Sequence, residues 1–167
     1  MTIVPMLPQH ADAVLEIYRH GIDTRIATFE TATPPWEKFT AKYLDVCRLV
    51  SMENNTVTGW AVLSPVSQRE CYKGVAEVSV YVHKEHWGKG IGKKLLLELI
   101  KESEAHGIWS LLSVIDEKNE TSIQLHLNCG FRMIGYRERI AQMDGEWRSV
   151  VMLERRSAII GTYKNSF

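Results

Sequence analysis

The stretch 85-EHWGKGIGKK-94 places three glycines within five positions, between an alternating apolar run and a Leu-rich run. Glycine inside regular structure costs about 0.5–1 kcal/mol relative to Ala, so the spacing of Gly88, Gly90 and Gly92 indicates that bare backbone is required there. Backbone amides that converge at the start of a helix favour an anion, and the neighbouring lysines would add positive charge. The segment therefore predicts an anion-binding loop, with a tight strand-to-helix turn and solvated lysines as the alternative.

Two common phosphate-loop patterns do not fit this segment. The dinucleotide pattern GxGxxG would require glycine at Lys93. The Walker A pattern would require glycine at Trp87 and Ser or Thr at Lys94. The sequence therefore predicts neither a dinucleotide fold nor a P-loop nucleotide site.

The composition is that of one globular domain with a sizeable core: the chain has 167 residues, of which 45% are hydrophobic and 24% are charged. Its 20 basic and 20 acidic side chains balance, which argues against nucleic acid or an acidic membrane surface as partner. Cys47, Cys71 and Cys129 form no metal-binding pattern, so no metal is expected. Because no signal-like or membrane-spanning apolar run is present, the sequence predicts a cytoplasmic protein with free thiols.

Hydrophobic periodicity predicts a mixed sheet with helices on its faces. Helices are expected over 9–20, 36–46, 90–106 and 121–127. Strands are expected over 2–7, 47–53, 56–66, 75–82, 108–115, 131–143 and 147–154. Pro5 predicts that the first strand is an edge strand, and 75-VAEVSVYV-82 predicts a central strand buried on both faces. The Asp144–Gly145 pair predicts the type I′ turn of the last hairpin.

Two segments together resemble the GNAT superfamily of acyl-CoA N-acyltransferases. The pyrophosphate loop of that superfamily follows the pattern [RQ]xxGx[GA]. The segment 87-WGKGIG-92 matches this pattern at Gly90 and Gly92 but has Trp87 where Arg or Gln is expected. The segment 119-NETSIQLHLNCGF-131 matches the second signature in register. The resemblance implies an α/β (α+β) fold with a mixed, mostly antiparallel sheet of about seven strands, about four flanking helices and splayed strands at the acyl-CoA site.

A closer resemblance is to the phosphinothricin and methionine-sulfoximine acetyltransferase branch. The matching pieces are 28-TFE-30, 77-EVSVYVHKEHWGKGIG-92, 122-SIQLH-126 and 145-GEWRSVVMLERR-156. Members that resemble this chain acetylate the α-amine of small amino-acid-like substrates and form homodimers. The resemblance therefore implies acetyl-CoA as cosubstrate, no metal, a small-molecule amine as acceptor and a homodimer.

The resemblance also implies which residues hold the cosubstrate. The strand before the loop is expected to pair with the pantetheine arm and to offer an amide to the oxyanion, while the loop cradles the pyrophosphate. The residues expected to bind acetyl-CoA are Val80, Tyr81, Val82, Trp87, Gly88, Lys89, Gly90, Ile91, Gly92, Lys93, Asn119 and Ser122.

Glu77 is the candidate general base, because the acceptor amine must lose a proton before it attacks. It is the only carboxylate in the run 75–82, and a buried strand rarely carries an unpaired charge without cause. Desolvation is expected to raise its pKa toward the range of a working base, and the branch has a proposed Glu base at this position. The alternative is an edge residue that pairs with Arg69 or Lys73.

Asn119 and His126 complete the expected catalytic set. Asn119 fits a helix N-cap, whereas the resemblance implies a hydrogen bond to the pantetheine arm or to the substrate. His126 stands where many superfamily members have the Tyr that protonates the leaving thiolate, and an imidazole can do the same. The alternative for His126 is a surface position on a helix.

Recognition of an amino-acid acceptor needs a cation for its oxyanion and a wall for its side chain. Arg69 and Tyr72 are expected to supply these just before the Glu77 strand, since the guanidinium fork fits carboxylates and phosphinates. Phe29 and Glu30, in an ordered Thr-rich loop over 21–36, are expected to close over the substrate, as the branch implies.

The sequence thus predicts an acetyl-CoA-dependent N-acetyltransferase with one domain over 1–156 and a C-terminal tail over 157–167. The expected reaction is direct transfer to the α-amine of a small amino acid or analogue, of the phosphinothricin, methionine sulfoximine or methionine sulfone type. The alternatives are transfer to another amine, such as a protein N-terminus or a polyamine, and a non-catalytic acyl-CoA-binding module. A pure binder would need the glycine loop but not the set of Glu77, Asn119 and His126.

Overall fold

The structure is a computed structural model that describes residues 1–162. In that range seven strands form one sheet in the order β1-β2-β3-β4-β5-β7-β6. The strands are β1 (Thr2–Pro5), β2 (Leu49–Glu53), β3 (Thr56–Pro65), β4 (Val75–Val82), β5 (Ser110–Asp116), β6 (Arg132–Met143) and β7 (Glu146–Arg156). Only β4 and β5 pair in parallel, which confirms the predicted mixed, mostly antiparallel sheet with the Pro5 strand at an edge.

Four α-helices flank the sheet in this range: α1 (Ala11–Asp23), α2 (Trp36–Lys42), α3 (Ile91–Ala105) and α4 (Glu120–Leu127). Because side chains alternate along a strand, β3 contributes side chains to two hydrophobic cores, one on each face of the sheet. Trp60 and Val62 are buried with side chains of α1 and α2, whereas Ala61 and Leu63 are buried with side chains of α3. The sheet is therefore the middle layer of the fold, as the sequence predicts.

The predicted hairpin turns are confirmed by backbone geometry. Asn54 and Asn55 both have positive φ between β2 and β3. Asp144 (φ 53°) and Gly145 (φ 78°) do the same between β6 and β7, as a type I′ turn requires.

The predicted helix over 36–46 is too long. Helix α2 ends at Lys42, and Tyr43 is extended. The side chain of Arg48 donates hydrogen bonds to the carbonyls of Thr40, Tyr43 and Leu44, which satisfies groups that a longer helix would have paired internally. The early end brings Lys42 and Tyr43 to the rim of the site described below.

The first part of the predicted tail folds back on the end of β7. Ser157 is buried, and the guanidinium of Arg156 donates to the carbonyls of Ile160 and Gly161. The rest of the tail, 163–167, lies outside the described residues. None of the described helices has the length and apolarity that a membrane crossing demands.

β4 and β5 part halfway along their length. Their parallel pairing covers only 75–77 against 110–112, so the far half of β4 lines an open cleft. The prediction that β4 is buried on both faces is therefore wrong, since within it only Ala76 and Val78 are fully buried. The parting is the splay that the GNAT resemblance implies.

Candidate active site

A cleft of about 980 Å³ opens where β4 and β5 part, which is at the upper end of the size of ligand pockets. The start of α3, helix α4 and the loop over 24–30 complete its walls. Most of the predicted site residues line it: Phe29, Glu30, Glu77, Val80, Tyr81, Val82, Trp87, Gly88, Gly90, Ile91, Gly92, Lys93, Asn119, Ser122 and His126. The fold thus brings together residues that are spread over most of the sequence.

Three predicted residues do not line this cleft. Arg69 and Tyr72 are exposed, and the Arg69 guanidinium lies 5.6 Å from the centre of the Tyr72 ring. Lys89, in the glycine loop, is exposed. The expected binding of an acceptor oxyanion by Arg69 stays a prediction that this cleft does not support.

The glycine loop has a conformation that explains each glycine. Gly88 (φ 75°) and Gly90 (φ 76°) adopt the left-handed region, which disfavours side chains. A Cβ on Gly92 would lie 3.3 Å from Leu125 Cδ2, so this glycine permits the close approach of α3 and α4. The turn therefore delivers the first backbone N–H groups of α3 to the cleft.

The start of α3 is electrostatically suited to an anion. This helix is 15 residues long and has no acidic side chain in its first turn, so the positive end of its dipole is uncompensated. Lys93 lines the cleft beside it. A phosphate group placed here would meet free N–H groups and a lysine.

The backbone of β4 offers two residues to the cleft rather than three. Just beyond the end of β4, the His83 N–H donates to the Thr58 carbonyl, so these two residues form a hydrogen-bonded pair. Such pairs recur at every second residue of an antiparallel ladder, so Tyr81 and Trp60, which face each other, form the next hydrogen-bonded pair. By alternation Val80 and Val82 point their backbone groups away from β3, toward the cleft. The expectation that the Tyr81 amide serves the cosubstrate is therefore wrong; Tyr81 contributes its ring.

Trp87 occupies the position where the family pattern has Arg or Gln. Its indole N–H donates to the Val82 carbonyl at 2.8 Å, and the residue is 54% exposed. The indole thereby caps one of the carbonyl groups that β4 turns toward the cleft.

Glu77 is the last residue of β4 that pairs with β5, and its side chain faces the cleft. Burial raises the pKa of Glu77, and the nearby charge of Lys42 lowers it in part. The alternative of an edge residue paired with Arg69 or Lys73 is wrong, because β4 is central and Lys73 pairs with Glu70 at 2.6 Å. Within residues 1–162, no hydrogen bond or ion pair engages the Glu77 carboxylate.

Three residues that the sequence analysis did not single out surround the Glu77 end of the cleft: Tyr18, Lys42 and Tyr43. Burial raises the pKa of both tyrosines, so both keep their hydroxyl protons. The Lys42 ammonium lies 3.8 Å from Glu30 and 5.5 Å from the centre of the Tyr43 ring. No local sequence pattern marks Lys42, because it resembles any solvated helical lysine.

Three side chains hold the loop over 24–30 against the sheet. The Tyr81 hydroxyl donates to the Ala27 carbonyl (3.2 Å), the Asn119 amide to the Ile26 carbonyl (3.4 Å), and the Arg148 guanidinium to the Arg25 carbonyl (2.7 Å). The loop that carries Phe29 and Glu30 is therefore ordered, as predicted.

Asn119 also caps α4, since its Oδ1 accepts the Ser122 N–H at 3.2 Å. The N-cap interpretation of Asn119 is therefore correct. Its expected contact with the cosubstrate or substrate stays a prediction.

His126 is buried, 3% exposed, so the surface alternative is wrong. Nδ1 lies 2.8 Å from the Ser122 carbonyl, which can only accept, and we therefore assign the ring proton to Nδ1. Nε2, 3.1 Å from Ser113 Oγ, then accepts the hydroxyl hydrogen. Burial lowers the pKa of His126, although the bond to Ser122 opposes this. The neutral ring has no proton at Nε2 to give to a thiolate.

One group of potential metal ligands in residues 1–162 lies outside the cleft. Ligand atoms of Glu16, His20 and His83 lie within 4.8 Å of one another. Burial and then the charges of His83 and Lys84 lower the pKa of His20. Glu16 is exposed, and exposed acidic groups commonly lie near such side chains without an ion, so we assign no metal to this group.

The sequence profile of the acetyltransferase (GNAT) family matches residues 14–131, which include both signatures and the whole glycine loop. The chain belongs to the GNAT acetyltransferase family. The predicted fold and the predicted class of enzyme, an N-acetyltransferase, are therefore confirmed.

Individual GNAT proteins resemble the chain over nearly its whole length. The L-methionine sulfoximine/L-methionine sulfone acetyltransferase of Salmonella typhimurium is 32% identical over 147 residues, which is 85% of this chain and 86% of that protein. The crystal structure of a phosphinothricin acetyltransferase from Sinorhizobium meliloti in complex with AcCoA has a TM-score of 0.89 at 27% identity, covering 98% of this chain and 91% of that chain. The ribosomal-protein-alanine N-acetyltransferase from Brucella melitensis has a TM-score of 0.85 at 25% identity, covering 94% and 100%.

Proposed function

We propose that this GNAT protein transfers the acetyl group of acetyl-CoA to the α-amine of a small amino acid or analogue, of the phosphinothricin, methionine sulfoximine or methionine sulfone type. The observation that carries the proposal is Glu77, a half-buried carboxyl with a raised pKa at the point where β4 and β5 part. A binding module has no need of such a group, whereas transfer to a protonated amine does. The acetyltransferases of related sequence and structure support the choice of acceptor.

The cosubstrate would lie along β4 with its pyrophosphate at the start of α3. The free N–H groups after Gly90, together with Lys93, suit the pyrophosphate. The outward backbone groups of Val80 and Val82 suit the amide-containing pantetheine arm and the carbonyl oxygen of the thioester.

The acceptor nitrogen must lose two protons in this reaction, one before it attacks and one after the C–N bond has formed. Glu77 removes a proton from the acceptor ammonium, directly or through one water, and the free amine attacks the thioester carbon. The C–N bond forms, the negative charge collects on the carbonyl oxygen beside the β4 amides, the positively charged nitrogen gives its second proton to solvent, and the C–S bond breaks. The departing thiolate is a weak base and takes its proton from solvent, so no strong acid is required.

The direct test is thiol release from acetyl-CoA with a panel of acceptors: methionine sulfone, methionine sulfoximine, phosphinothricin, the common amino acids and a short peptide. Release with the amino-acid analogues supports the proposal. Release only with the peptide would favour the second candidate, an N-terminal acetyltransferase, which the likeness to the ribosomal-protein-alanine N-acetyltransferase supports. Acetyl-CoA binding with no release from any acceptor would favour a binding module.

The variant Glu77→Gln tests the base. We expect kcat/KM to fall by roughly 10²–10⁴-fold with unchanged acetyl-CoA affinity, because only proton removal is lost. Wild-type kcat/KM should fall in acid as Glu77 protonates, and the residual rate of the variant should lose that dependence. Glu98→Gln, at a half-buried position of α3 outside the cleft, is the matched control and should behave as wild type.

Thermal unfolding of Glu77→Gln distinguishes a loss of the catalytic base from a loss of folding. Folding raises the pKa of Glu77. The contribution of this carboxyl to the free energy of unfolding is therefore fully present below its unfolded pKa and is lost as the pH rises through its folded pKa. At neutral pH the ionised group opposes folding, and Glu77→Gln should unfold at the same or a higher temperature. Wild-type turnover in this variant would remove Glu77 from the mechanism.

We further propose that two copies of the chain associate through the β6 edge of the sheet. This edge strand exposes large apolar side chains, and Trp147 on the neighbouring β7 is 61% exposed. The exposed apolar residues of β6 are Met133, Ile134, Tyr136 and Ile140. Patches of this kind mark protein contacts more often than solvated surface. Light scattering of wild type against Ile134→Lys should show a dimer that becomes a monomer.

A further inference from the structure

Lys42 lies where the cleft meets a smaller side pocket of about 90 Å³. We infer that the Lys42 ammonium binds the α-carboxylate of the acceptor amino acid and so selects acceptors that carry one. The inference rests on the proposed function, since it concerns the acceptor of that reaction.

The first argument is the position of Lys42 relative to Glu77. An α-amino acid carries its amine and its carboxylate on one carbon, so a base for the amine must adjoin a cation for the carboxylate. Lys42 and Glu77 line the same end of the cleft, and the Lys42 charge is close enough to lower the pKa of the Glu77 carboxyl.

The second argument is elimination. Among the described residues, the lysine and arginine side chains that line the cleft are Lys42 and Lys93, whereas Lys38 lines the side pocket alone. Lys93 lies at the start of α3, on the side suited to pyrophosphate. Arg69 lies outside the cleft against the Tyr72 ring. Lys42 is therefore the cation left for the acceptor.

The third argument is that Lys42 is available. Its contact with Glu30 is 3.8 Å long, and both side chains are more than half exposed, 52% and 57%. A pair of this kind is weak and screened, so a substrate carboxylate can replace Glu30. The Tyr43 ring, 5.5 Å from the ammonium, keeps the lysine over the cleft while its partner changes.

The test compares two acceptors on several enzymes. The acceptors are methionine sulfone and its α-carboxamide, which share the amine and the side chain but differ in the carboxylate. The enzymes are wild type, Lys42→Gln, Lys42→Arg and the control Lys101→Gln, which removes the same charge from an exposed helical pair on α3. The measured quantity is the ratio of kcat/KM for the acid to kcat/KM for the amide; any difference in amine basicity cancels when enzymes are compared.

We expect wild type and Lys101→Gln to prefer the acid by about tenfold or more, the value of one charge-assisted hydrogen bond. Lys42→Gln should bring the ratio close to one, mainly by a higher KM for the acid, while the Kd of acetyl-CoA changes little. Loss of the Lys42 charge also raises the pKa of Glu77, but that change acts on both acceptors and cancels in the ratio. Lys42→Arg should keep most of the preference, because it keeps the charge.

Two outcomes would overturn the inference alone: a wild type that transfers to both acceptors without preference, or a Lys42→Gln variant that keeps the preference for the acid. Transfer by wild type to neither acceptor, despite acetyl-CoA binding, would overturn the proposed function and the inference together. The two kinds of failure are distinguished by the wild-type rate.

Discussion

Among substitutions that remove one charge, those in the buried ion pair of Asp116 and Arg148 should lower the stability of this fold the most. Asp116 ends β5 and Arg148 lies on β7, with side chains only 3% and 8% exposed. The guanidinium donates to Asp116 Oδ2 from Nε (2.8 Å), its Nη2 lies 2.7 Å from the same oxygen, and Nη2 donates to the Arg25 carbonyl (2.7 Å). Asp116→Asn keeps the shape of the side chain but leaves a buried guanidinium without its counter-charge.

The expected loss follows from that burial. Removal of one partner of a buried ion pair costs about 3–5 kcal/mol, because the other charge stays desolvated. For a chain of 167 residues, each kcal/mol lowers the melting temperature by about 2–4 °C, which gives a fall of roughly 6–20 °C.

The assay is urea unfolding at neutral pH, followed by circular dichroism, for Asp116→Asn, Arg148→Met and the double variant. The double variant should lose less stability than the sum of the two single losses, because no unpaired charge stays buried. Asp45→Asn is the control: Asp45 contacts Arg48 at 2.9 Å but is fully exposed, so the free energy of unfolding should barely change.

A loss below about 1 kcal/mol for Asp116→Asn would refute the reasoning, since surface pairs give values of that size. Strict additivity in the double variant would refute it as well. The acceptor KM should rise in Asp116→Asn while the Kd of acetyl-CoA stays the same, because the loop at Arg25 loses its anchor. An unchanged acceptor KM would show that the loop is held by its other contacts.

Two further predictions concern the cosubstrate end of the cleft. Trp87→Gln restores the family residue and frees the Val82 carbonyl. If backbone amides hold the pyrophosphate, calorimetry should find the Kd of acetyl-CoA within about threefold of wild type. A loss of affinity beyond about tenfold would show that the indole binds the cosubstrate. At every pH between 7 and 9, His126→Asn should lower kcat by less than about tenfold, because the neutral ring has no proton at Nε2. A fall in kcat of about 100-fold, in a variant with the melting temperature of wild type, would show that His126 is the general acid.

Much of the fold and part of the site could be predicted from the sequence. Glycine spacing, the turn pairs at 54–55 and 144–145, and apolar periodicity report conformations that neighbouring residues impose on each other. Glu77 could be found because a lone carboxylate in an apolar run is a local anomaly. Lys42 could not, because a lysine on a short helix looks the same whether it faces solvent or substrate.

What the sequence by itself determined is the set of local conformations: the left-handed glycines before α3, the turns, the strands and the two GNAT signatures. The tertiary structure alone decided which groups meet. Arg48 ends α2, β4 parts from β5 after Glu77, and the Ser122 carbonyl fixes the His126 proton on Nδ1. The physical reason is that such contacts depend on sheet register and loop closure across the whole chain, whereas a turn or a cap depends on a few adjacent residues.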